Sequence, residues 1–137
     1  MITEAPRDLR YSSADGEKYR KLVSDELSPF YGATFKDVFI YAATYGFKNG
    51  LHKELDKPQP NIPISTFTPE DEWIIKSIAV AEKKTLDILG DGKEIYRLAE
   101  EYANGALDAI YLEIFGGKPG EPYKRMSQEV LEELGRL

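Results

Sequence analysis

A chain of 137 residues, 42% hydrophobic and 31% charged, is long enough to close a core without disulfide or metal staples. It has no cysteine and a single histidine, His52, so disulfides, zinc ribbons, iron–sulfur clusters and thiol nucleophiles are excluded, and a multi-histidine metal site has little to build on. Eighteen Lys and Arg against 24 Asp and Glu give a net charge of −6, the opposite of a chain-wide nucleic-acid footprint.

The opening residues Met1 to Arg10 mix Glu4, Pro6, Arg7 and Asp8 with no apolar h-region, so a secretory signal is not expected. No apolar run approaches the roughly 18 residues of a membrane span. The expectation is a cytoplasmic protein without membrane contact. Residues 1–14 read as an N-terminal arm, and residues 15–137 as a single helical domain. From Asp15, the residues Tyr19, Leu22, Val23 and Leu27 fall on one helical face until Ser28-Pro29 stops the run. Thr34 and Asp37 open a second helix as a capping box, with Asp where Glu or Gln is usual. Its body from Phe35 to Phe47 is apolar around most of its circumference, and Asn49-Gly50 supplies the left-handed residue that ends it. Pro58, Pro60 and Pro63 make the next stretch an extended connector. Ile64 to Thr68 suits a short extended piece, but a lone strand has no evident partner.

Thr68-Pro69 is the sharpest local signal. Thr68 caps, Pro69 takes the first helical position, and Glu70, Asp71 and Glu72 meet the positive helix end. This third helix is expected to reach about Leu89, burying Trp73, Ile74, Ile78, Ala81, Leu86 and Leu89. After Gly90-Asp91-Gly92, a long helix runs from Lys93 to Phe115, with small residues Ala103, Gly105, Ala106 and Ala109 inviting a close neighbour. A last amphipathic helix is expected from Ser127 to about Leu134. The fold class is all-α, a single-domain bundle of about five helices with a Pro-rich connector.

No residue set points to catalysis, a cofactor or a metal. His52 lacks a designated partner and reads as a surface residue. Glu70 to Glu72 are explained by the helix end, and Glu94, Glu101 and Asp108 by a solvated stripe. Gly90 to Lys93 is too short a signal for an anion loop, and Asp91 would repel a phosphate. Two surfaces remain. Arg7, Arg10, Lys18, Arg20 and Lys21 are a locally basic set and candidate DNA-phosphate contacts. Tyr96, Leu107, Tyr111 and Leu112 are apolar surplus on the long helix and a candidate interface to a protein partner or a second copy.

The run Tyr19-Arg-Lys-Leu-Val, then Phe35-Lys-Asp-Val-Phe-Ile-Tyr-Ala-Ala-Thr-Tyr-Gly46-Phe-Lys-Asn-Gly50, resembles the DNA phosphorothioation (dnd) system-associated protein 4 family, as does Ala99-Glu-Glu-Tyr-Ala-Asn-Gly105-Ala-Leu. The resemblance implies a setting beside systems that replace a non-bridging phosphate oxygen of DNA with sulfur, or that restrict unmodified DNA. It supplies no catalytic residues, and the absence of cysteine argues against sulfur transfer by this chain. The expected function is an accessory or adaptor protein acting through protein contacts, with a DNA-binding module as the alternative.

Overall fold

A computed structural model describes residues 5–116. In chain order it places strand β1 (Asp8–Ser12), helix α1 (Gly16–Ser24), helix α2 (Phe35–Asn49), strand β2 (Pro58–Pro63), helix α3 (Pro69–Lys83) and helix α4 (Gly92–Phe115), with 3-10 turns at Ser13–Asp15, Ile64–Thr66 and Leu86–Gly90. The architecture is predominantly helical, but four α-helices and a small sheet among the described residues replace the expected all-α bundle of five. The helix expected at Ser127–Leu134 lies outside the described residues.

The sheet is the main departure. β1 pairs antiparallel with β2, with Leu9 opposite Ile62 and Tyr11 opposite Gln59, and one bulge between Leu9 and Arg10. The arm and the Pro-rich connector are therefore each other's partner. Pro58, Pro60 and Pro63 donate no backbone hydrogen bond, which a two-stranded sheet tolerates because each strand has a free edge. Alternation sends Leu9 and Tyr11 inward with Ile62, so β1 belongs to the same core as the helices.

Both capping boxes form as the sequence dictates. Thr34 Oγ1 accepts from the Asp37 N–H and Asp37 accepts from the Thr34 N–H; Thr68 and Asp71 repeat the arrangement. The Thr34 N–H holds the Asp37 carboxyl below the usual 3.8. Burial works against ionisation of Asp71, but Lys36 Nζ at 2.8 Å and the Thr68 donors outweigh it, and its pKa also lies below 3.8. A carboxyl whose pKa is depressed by folding stabilises above the unfolded value and loses that contribution as pH falls through the folded one. Urea midpoints are therefore expected to hold from neutrality down to about pH 4 and to fall below it, less steeply in Asp37→Asn and Asp71→Asn. Asp15, raised by burial, acts in the opposite sense, so the Asn variants isolate the caps.

α2 and α4 form the most extensive helix pair, and small residues set their approach. The chain leaving α2 at Gly50 (φ 66°) turns back so that Leu51 and His52 lie against Gly105 of α4. The slot made by Gly105 and its small neighbours is filled by the chain's own loop.

Candidate interaction face

α3 has two apolar faces, and the expected one is only partly the buried one. Ile75, Ile78 and Ala79 enter the core, while Trp73, Ser77 and Ala81, spaced by four residues, form an outer stripe. Trp73 is 63% exposed and Leu86 70%, and Leu89 also faces solvent. The helix stops at Lys83 because Lys84 takes a left-handed conformation (φ 57°) and Thr85 starts a new turn by capping the Asp87 N–H. That turn buries Ile88 alone, leaving Leu86 and Leu89 beside Trp73.

Two shallow hollows flank the stripe and share Trp73, Ser77 and Ala81. One, of about 460 Å³, is completed by Thr44 and Phe47 of α2 with Ile74 and Ile78. The other, of about 340 Å³, is completed by Lys76, Val80, Leu86 and Leu89. Lys76 Nζ sits 4.8 Å from the centre of the Trp73 ring, a cation–π contact on the rim. Apolar surface of this continuity, rather than scattered single residues, is what a protein-binding face presents.

The expected interface residues on α4 divide. Tyr96 and Leu107 are covered by the chain's own elements, each at 1% exposure. Tyr111 is half-buried against Phe115, and Leu112 is 68% exposed. The basic set is dispersed among intramolecular partners. Arg10 pairs with Glu100 at 3.0 Å, Lys18 with Asp108 and Asp15, and Arg20 with Glu17. Lys21 lies over the Phe115 ring at 4.3 Å, and Arg7 is exposed.

A polar seam runs along α4. Arg97 bonds Glu94 and Glu101, and Lys83 stands 3.4 Å from Glu94. His52, expected as a surface residue, places Nε2 2.7 Å from Glu101 Oε1, close but without hydrogen-bond alignment, and packs edge-on against Tyr102. Tyr102 donates to Glu82, and burial together with that carboxylate pushes its phenol up to about 12. Ser12 bonds Asn104, which also donates to the carbonyls of Lys53 and Glu54. These bonds fasten β1, the 51–57 loop and α4 together.

Trp73, Leu86 and Leu89, expected in the core, are surface residues. The available signal was that α3 carries apolar residues on two sides, while a helix at the edge of a small domain buries one. Among the described residues no group of three His, Asp or Glu side chains is placed to hold a metal ion, and no helix is long and apolar enough to cross a membrane. Comparison with curated proteins gives no match, and neither does comparison with solved structures. The family comparison does: residues 9–133, nearly the whole chain, match the family model of DNA sulphur modification system-associated protein 4, and the chain belongs to that family.

Proposed function

We propose that this protein is a non-catalytic, cytoplasmic accessory component of a DNA sulphur modification system, an adaptor that holds a protein partner on its Trp73 face. The observation that carries this reading is the contiguous apolar surface of Trp73, Leu86 and Leu89 with its two hollows. Tryptophan is among the residues most enriched where binding energy concentrates at protein interfaces. Arg97 is held by Glu94 and Glu101, and Tyr102 donates to Glu82, which supports a structural role for these side chains rather than acid–base work.

The test is co-purification of the tagged full chain with the other components of its modification system. Trp73→Ala and Leu86→Glu are expected to lower retention of the partner at least about tenfold, since a central aromatic anchor contributes 2 kcal/mol or more. Their melting temperatures should match wild type, because neither side chain is in the core. Equal retention by both variants would overturn the reading. The alternative, DNA binding by Arg7, Arg10, Lys18, Arg20 and Lys21, predicts instead an affinity that falls steeply with salt. It is disfavoured by the carboxylates already facing Arg10, Lys18 and Arg20.

A further inference from the structure

The outer row of α3 is large only at its start. After Trp73 come Ser77 and Ala81, small side chains that repeat at intervals of four between the two hollows. A row of small residues at that interval is a groove, and it accepts a row of larger side chains spaced the same way on a second helix.

Three lysines border this groove. Lys76 lines the second hollow, Lys48 follows Thr44 by one turn of α2, and Lys84 ends α3 one turn beyond Val80. None of the three has an ion pair among the described residues, and Lys76 instead lies over the Trp73 ring. Glu82 is taken by Tyr102, which leaves Glu70 and Asp87 as the nearby acids in sequence. The rim therefore carries an excess of positive charge on a chain whose net charge is −6.

The chain itself contains a segment of the complementary pattern. Beyond the described residues, Met126, Val130 and Leu134 also repeat every four positions, with Leu131 next to them. In the same helical repeat Glu129, Glu132 and Glu133 gather on the adjoining side. The family match runs on to residue 133 and spans nearly all of this segment.

The connector is long enough. Phe47, which lines the first hollow, packs edge-on against Tyr102 of α4 with ring centres 5.5 Å apart. From Tyr102 to Gly116 the axis of α4 advances about 21 Å. Residues 117–125 can span about 30 Å when extended, which covers that distance together with a sideways step of about one helix spacing.

We propose that residues 126–134 dock in the Trp73 groove of their own chain, with Val130 and Leu134 over Ser77 and Ala81 and the three glutamates toward the lysine rim. The proposal rests on the Trp73 face being a docking surface, as in the function given above, and adds its regulation. A protein partner reaches the face by displacing the segment, which favours partners with the same acidic, amphipathic pattern. Tethering holds the segment at an effective concentration on the order of millimolar, so it outcompetes the same segment of a second copy in dilute solution.

Trp73 is the only tryptophan of the chain, so its fluorescence reports the groove directly. The test measures emission wavelength and acrylamide quenching in the purified full chain, without a partner. Wild type is expected to emit at shorter wavelength and to be quenched less than three full-length variants. Val130→Asp with Leu134→Asp removes the apolar row, Glu132→Lys with Glu133→Lys reverses the charge, and Ala81→Glu obstructs the exposed groove from the α3 side. The protection of wild type should persist on dilution and weaken with added salt. Wild-type quenching equal to that of all three variants overturns the proposal. Protection that disappears on dilution overturns it in favour of a second copy, and an Ala81→Glu variant still protected like wild type overturns the groove as the place of docking. A tail that leaves Trp73 unprotected while the partner is retained sinks this inference alone; a protected Trp73 with no retained partner sinks the adaptor reading alone.

Discussion

Gly46→Ala is expected to destabilise the protein by about 3 kcal/mol, the upper end for over-packing, and to lower the urea midpoint accordingly. In a helix interior alanine ordinarily gains up to about 1 kcal/mol over glycine, so the expected loss reverses the local preference. The reason is the backbone of α4. A Cβ at Gly46 would stand 2.9 Å from the Tyr102 carbonyl carbon, still closer to its oxygen, and 3.0 Å from the Leu51 oxygen. These are main-chain atoms that cannot rotate aside. Gly105→Ala meets Leu51 in the same way, 2.6 Å from its carbonyl carbon. Gly50→Ala is the control: it has open space and only the left-handed φ of 66° against it, so about 1 kcal/mol is expected. A Gly46→Ala variant as stable as wild type would mean that α2 and α4 do not touch here.

Arg10→Ala is the second large effect expected, again about 3 kcal/mol in chemical denaturation at neutral pH. Glu100 is 3% exposed and takes three hydrogen bonds, all from Arg10: the backbone N–H at 2.7 Å, Nη2 at 3.0 Å and Nε at 3.2 Å. The same contact holds the guanidinium pKa above its usual value. Truncation leaves a buried carboxylate with one main-chain donor. Arg10→Lys should recover only part of the loss, because an ammonium cannot reproduce the planar two-point fork. An Arg10 that served only to touch DNA phosphates would leave stability unchanged when removed, so this one measurement separates a structural cation from a purely external one.

Signals confined to one turn of chain were legible. Thr34 with Asp37 and Thr68 with Asp71 bond residues three apart, so their chemistry fixes the helix starts wherever the rest of the chain goes. The sheet was not legible, because Leu9 and Ile62 meet across some fifty residues and three prolines disguise β2 as a linker. The small residues around Gly105 announced a close neighbour but not which; Leu51 and His52 of the same chain filled the place offered to a partner. On α3, both apolar faces fit the helical repeat, and only the packing of Ile75, Ile78 and Ala79 decides that Trp73 turns outward.

The fastening of β1 also sets an order of events during synthesis. The strand that leaves the ribosome first pairs with β2, and its Arg10 and Ser12 are secured by Glu100 and Asn104 in the helix made last among the described elements. Closing a loop of that length is an entropic barrier that only long-range contacts repay. Until β2 has been made, Leu9 and Tyr11 have no strand to pair with, and until α4 has been made, Arg10 and Ser12 lack Glu100 and Asn104. Full fastening of β1 therefore waits on residues as far along the chain as Asn104, and a translational pause before that point is expected to delay it.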